Sequence, residues 1–127
     1  MFNDLKIFII LSIIFIVIDS IYLKTMSSHF QNLVKTIQGG EEMEFRYTPA
    51  IFCYIFLVFG LQYFIVNKKG TVLDAAILGW VIYGVYETTN MAIFKDWSLK
   101  VGLIDLTWGG FLFLITTYLY KNSVKYI

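Results

Sequence analysis

The run from Leu73 to Phe94 is long and apolar enough to cross a bilayer as a helix, yet polar groups crowd its second half. The stretch is Tyr83-Gly84-Val85-Tyr86-Glu87-Thr88-Thr89-Asn90. An ionisable group at such a depth costs roughly 2.5–3.5 kcal/mol or more unless it meets a partner or a water-filled cavity. This segment therefore cannot face lipid all round, and the remaining chain must supply neighbours for Glu87.

Three further apolar runs can do so. Ile7 to Leu23 reads as a first spanning helix. Asp4 beside Lys6, and the lack of a small-x-small site, argue against a cleaved signal peptide. The second helix covers 48–66, with Pro49 in its first turn, where a missing N–H does no harm. The third covers 73–94 with Asp74 at its positive end. The fourth covers 99–120. Between the first two lies the polar connection Lys24–Tyr47. Within it, residues 27–38 place Phe30, Leu33, Val34 and Ile37 at helical spacing, with Ser27 or Ser28 as N-cap and Gly39 as stop. That predicts a short amphipathic helix lying along the membrane surface.

The fold class is thus all-α: one domain over 1–127, a four-transmembrane-helix bundle of up-down topology with an interfacial helix. Composition agrees. The chain is 58% hydrophobic and 15% charged, whereas a soluble domain is about half apolar and a quarter charged. A net charge of +1 offers no basic field for nucleic acid. The single cysteine, Cys53, excludes an internal disulfide and reads as a small hydrophobe. No metal site and no cofactor is expected. Gly60, Gly79, Gly84, Gly102, Gly109 and Gly110 are candidates for close helix contact, and Tyr118, Tyr120 and Tyr126 for an interfacial belt.

Both termini should lie on one side. Lys6, Lys68, Lys69, Lys121 and Lys125 fall on that side, and Lys24, Lys35, Arg46, Lys95 and Lys100 on the other. The balance is even, and only the terminal amine and the Lys68-Lys69 turn favour cytoplasmic termini.

Connectivity then aligns the acids. Asp19 precedes the end of the first helix, Glu87 precedes the end of the third, and Asp105 follows the start of the fourth. At about 1.5 Å per residue all three lie roughly 6–10 Å below the face that bears the long connection. Tyr83, Glu87 and Asn90 share a stripe, and Tyr86 adjoins Asn90. Asp105 shares a face with Trp108, and Asp19 with Tyr22. One polar pocket is expected, lined by Asp19, Tyr22, Tyr54, Tyr83, Tyr86, Glu87, Asn90, Asp105 and Trp108. The competing reading makes the tyrosines and tryptophans interfacial anchors, has Thr88 and Thr89 bonded back to their own helix, and uses the acids as packing glue. His29 reads as a surface residue.

At these residues the chain resembles the small four-helix membrane proteins of domain-of-unknown-function family 2177, which has bacterial and large-virus members. The resemblance rests on Asp19-Ser20-Ile21-Tyr22-Leu23, on Tyr86-Glu87-Thr88-Thr89-Asn90 followed by Ala92 and Trp97, on Asp105-Leu106-Thr107-Trp108-Gly109, and on Tyr54 with Gly60. It adds Trp97 to the candidate site. Tyr22 stands where the family has Trp, and Glu87 where it has Asp, which lengthens the reach of the acid and favours loose binding over tight catalytic geometry. The resemblance implies a fold and a residue set but no activity. Usage rich in Ile, Lys, Phe and Asn fits an AT-rich genome such as that of a large virus.

The residues favour binding or translocation of a proton, a cation or a small polar solute, with a homo-oligomer needed for a full path. Two alternatives stay open: a membrane-embedded enzyme acting on lipid, with catalytic residues unknown, and a structural or assembly protein of a cellular or viral membrane. The lipid bilayer is the one partner common to all three.

Overall fold

A computed structural model describes residues 3–125. It contains four α-helices and, among the described residues, no strand. They are α1 (Asp4–Ile37), α2 (Tyr47–Leu61, running on through a π-helical turn over Gln62–Val66), α3 (Val72–Ile93) and α4 (Leu99–Ser123). Helix α2 with its π turn, α3 and α4 match the expected boundaries within three residues. Three of the four helices, α1, α2 with its π turn, and α4, are long and apolar enough to cross a membrane. Helix α3 has the length, with 22 residues, but Asp74, Glu87 and Asn90 lower its apolarity.

The first helix departs from expectation. The segment 27–38 does not start a separate surface helix. Helix α1 runs unbroken for 34 residues, about 51 Å at the usual rise. The polar bridge Lys24–Ser28 contains neither Gly nor Pro, and Thr25 Oγ1 donates to the Ile21 carbonyl at 2.9 Å, so nothing there stops propagation. The stop comes where predicted. Gly39 and Gly40 adopt φ of 70° and 100°, and their N–H groups return to the carbonyls of Thr36 and Lys35. A hydrocarbon core of about 30 Å covers only part of α1, so its last turns stand beyond the expected span.

Caps explain the other boundaries. Asn3 Oδ1 accepts from the Lys6 N–H at 2.8 Å. Thr71 and Asp74 form a reciprocal capping box, at 3.0 and 2.8 Å. Ser98 Oγ accepts from the Val101 N–H at 3.1 Å.

The topology is up-down. Gln62 Nε2 donates to the Asp4 carbonyl at 2.9 Å, and Lys121 Nζ donates to the Gly70 carbonyl. These bonds gather the start of α1, the end of α2 and the end of α4 at one end of the bundle. The 38–46 connection and the 94–98 turn occupy the other, called here the loop end. Helix α4 is the hub: it pairs most extensively with α3 and also with α1, while α2 packs chiefly on α1. The core is Leu11, Phe15, Val58, Leu61, Ile65, Ala75, Leu112 and Phe113. Tyr120 joins that core rather than an interfacial belt, whereas Tyr118 faces outward; Tyr126 lies outside the described residues. Cys53 is exposed on the outer side of α2.

The α3–α4 contact depends on glycine. A Cβ on Gly79 would run into the Gly109 carbonyl, one on Gly109 into the Tyr83 ring, and one on Gly110 into the Trp80 indole. Trp80 Nε1 also donates to the Thr107 carbonyl at 3.1 Å. Gly84 meets Leu106 at ordinary contact distance, and Gly60 has nothing within 4 Å, so it serves no helix contact within the chain. Gly79→Ala should therefore lower stability in detergent by about 1–3 kcal/mol, the usual cost of overpacking. Gly60→Ala should be neutral or stabilising, since Ala exceeds Gly in helix propensity by about 1 kcal/mol. Thermal unfolding followed by circular dichroism checks both, and equal losses at the two positions would contradict the assignment.

Candidate functional site

Three carboxyls from three helices are buried at the loop end. Asp19 on α1 is 5% exposed, Glu87 on α3 is 1% and Asp105 on α4 is 8%. Buried polar groups without partners cost roughly 1–3 kcal/mol each, and more if charged, and each of these acids is met by an aromatic donor. Tyr54 Oη on α2 donates to Asp19 Oδ2 at 2.6 Å, and Trp108 Nε1 on α4 donates to Asp19 Oδ1 at 2.9 Å. Tyr22 Oη on α1 donates to Asp105 Oδ1 at 3.1 Å. Trp97 Nε1, from the α3–α4 turn, donates to Glu87 Oε1 at 2.8 Å. The Tyr22 and Trp108 rings stack, with centroids 4.7 Å apart and planes at 6°, so the two donors brace each other. Among the described residues, the one buried side-chain polar atom left unbonded is Thr116 Oγ1, three turns away along α4.

Glu87 and Asp105 line the same cavity. Gly102 makes room for them: a Cβ there would meet Met91 and would lie 3.1 Å from Glu87 Oε1. The pair forms the floor of an open cavity of about 410 Å³ that also reaches Tyr86 and Trp97. Its walls are Leu23, Ser27, Phe30, Leu33 and Val34 of α1, with Met43 and Phe45 of the following connection. That connection is tied down by Lys35 and Glu42, paired at 3.1 Å, and by Gln38 Nε2, which donates to the carbonyls of Glu41 and Glu42.

The structure thus gathers seven of the expected residues at the loop end in three hydrogen-bonded sets, Tyr54–Asp19–Trp108, Tyr22–Asp105 and Trp97–Glu87, the first two joined by the Tyr22–Trp108 stack. Tyr86 borders the cavity. Asn90, four residues on along the same helix face, does not line it. Tyr83 does not line the cavity. It lies against Gly109 and packs with Phe113, because the i, i+4 offset from Glu87 carries it a full turn deeper into the α3–α4 seam. Thr88 Oγ1 donates back to the Gly84 carbonyl at 2.6 Å, as the competing reading expects of it. His29 is exposed.

The apolar wall from the end of α1 escapes sequence reasoning, which ends the first spanning helix at Leu23. The signal is nonetheless present. Leu23, Ser27, Phe30 and Val34 follow one another at spacings of four, three and four, which continues the stripe of Asp19 and Tyr22 without a break.

Fold and cluster together define an all-helical membrane protein whose buried acids are matched by aromatic donors. The chain matches the family model described as "Predicted membrane protein (DUF2177)" over residues 4–120, and it belongs to that family. No curated protein and no solved structure matches it.

Deleting single donors tests the cluster. Tyr54→Phe and Trp108→Phe should each cost about 1–3 kcal/mol, the penalty for a buried group that loses its partner. Because both act on Asp19, either change combined with Asp19→Asn should be non-additive by roughly 0.5–3 kcal/mol. Additive losses in a double-mutant cycle read by thermal unfolding would mean that the donors act elsewhere.

Proposed function

We propose that this is a multi-pass protein whose four helices all cross the membrane, and that its loop-end cavity binds a small cation, proton or polar solute. Helix α3 crosses with its polar stripe turned inward on α4. The observation that carries the reading is the Glu87–Asp105 pair at the floor of an open cavity. Two ionised carboxylates in one cavity repel each other and only accept hydrogen bonds. Among the described residues, no Lys, Arg or His lines the cavity to supply positive charge. A proton or a bound cation fills that role, and the neighbouring hydroxyl and indole groups hold the carboxyls in place for it.

Binding is favoured over passage through one chain. Deeper than Asp19, the bundle is closed by Leu11, Phe15, Leu61, Leu112 and Phe113, each fully buried. Translocation therefore calls for a homo-oligomer or a movement of α2, which packs chiefly on α1. We place the termini on the cytoplasmic side, on the strength of the terminal amine and the dense Lys68-Lys69 turn alone, since the lysine and arginine balance is even.

The test uses the full chain in lipid nanodiscs, titrated with sodium, potassium and methylammonium and followed by unfolding temperature and tryptophan fluorescence. A ligand of the folded state stabilises it by about 2.7 kcal/mol at a hundred times its Kd. At least one of these cations should raise the unfolding temperature and perturb the fluorescence. Glu87→Gln and Asp105→Asn should fold and lose both responses. Identical responses in all three proteins would overturn the proposal, as would no response in the wild type together with strong destabilisation in the variants, which returns the acids to packing.

A further inference from the structure

Resting on that reading of the site, we propose that its ligand is an amphiphile, an ammonium head group on an apolar chain, held with the head on Glu87 and Asp105 and the chain along the wall of α1.

The argument starts from the contrast between floor and wall. The floor has two carboxyls, backed by the Trp97 and Tyr22 donors. Above them the wall is Leu23, Phe30, Leu33, Val34, Met43 and Phe45, with Ser27 the one polar residue among them. A bare metal cation entering here would shed its water and find oxygen ligands on one side only, at a desolvation cost that a one-sided site does not recover. An alkylammonium ion loses little, because its apolar chain replaces water against the wall while its N–H donors meet the carboxyls. An anionic head group is disfavoured by the same floor: it would face two carboxyls with no basic side chain in the lining.

The position of the cavity fits this occupant. Helix α1 extends past the length that a bilayer requires, so the wall stands near the boundary between hydrocarbon and head groups, where amphiphiles partition. The volume of about 410 Å³ lies within the range for small-molecule pockets. The mouth is bounded by Met43 and Phe45, both on the connection that Lys35–Glu42 and Gln38 tether to the end of α1.

The experiment compares dodecylammonium, methylammonium and dodecyl sulfate as probes on the full chain in phosphatidylcholine nanodiscs. Tryptophan fluorescence and unfolding temperature are the readouts, and affinities are expressed against the free probe concentration in water. Each methylene buried against the wall is worth roughly fourfold in affinity, so dodecylammonium should bind at least about tenfold tighter than methylammonium even when few of its methylenes are buried. Leu33→Trp or Val34→Trp, which fill the cavity from different positions, should remove that advantage and leave the methylammonium response in place. Glu87→Gln should remove both responses. Dodecyl sulfate should neither bind nor compete.

Equal affinity for the two amines would overturn the amphiphile while leaving the cation site standing. So would a dodecylammonium response untouched by both wall variants, or competition by dodecyl sulfate. No response to either amine would remove the cation site as well.

Discussion

A carboxyl cannot be left without a partner inside a bilayer, and that constraint organises this molecule. Asp19, Glu87 and Asp105 sit on three different helices, and the donors that satisfy them come from α1, α2, α4 and the α3–α4 turn. Helices α1, α2 and α4 are thus tied to one another, and α3 to the turn that follows it, by bonds that hydrocarbon makes expensive to break. Where lipid surrounds a bundle, apolar burial gives little drive for helix association, and such bonds together with close backbone contact take its place. The two devices divide the molecule between them. Glycines 79, 109 and 110 bring α3 and α4 into contact in the deeper half, and the aromatic–acid cluster fixes the loop end.

Helix α2 stands apart in this scheme. It packs chiefly on α1, exposes Phe52, Phe56, Phe59 and Phe64, and is linked to α1 by the polar bonds Tyr54–Asp19 and Gln62–Asp4. The first of these reaches into the acid cluster itself. Movement of α2 relative to α1 would therefore strip Asp19 of a donor, which couples the position of α2 to the polar site.

Much of this was legible from residues alone, for a physical reason. Intramembrane acids are few and costly, so up-down connectivity and a helical rise suffice to predict that Asp19, Glu87 and Asp105 meet. Tyr22 and Trp108 followed because they share faces with Asp19 and Asp105, whereas Trp97 came only from the family resemblance. What could not be read was three-dimensional in origin. Tyr83 shares a stripe with Glu87, yet a full turn of rise carries it onto Gly109. Gly60 looks like any contact glycine until the neighbouring helix proves to be absent. The length of α1 was misjudged because polarity at Lys24–Ser28 marks the edge of a bilayer, not the end of a helix. Only the glycines at 39 and 40 end it, and between those two points lies the apolar wall of the cavity.

The central claim is that Glu87 and Asp105 face an open cavity built to hold a ligand, rather than a closed contact built to hold helices. A structure of the full chain in lipid nanodiscs, at a resolution that shows side chains, tests it most directly. The account predicts non-protein density against the two carboxyls, extending under Phe30 and Phe45. Phe30 and Leu33 packed down onto Tyr86, with the carboxyls closed on each other and no space between, would contradict it and leave the acids as struts of the bundle.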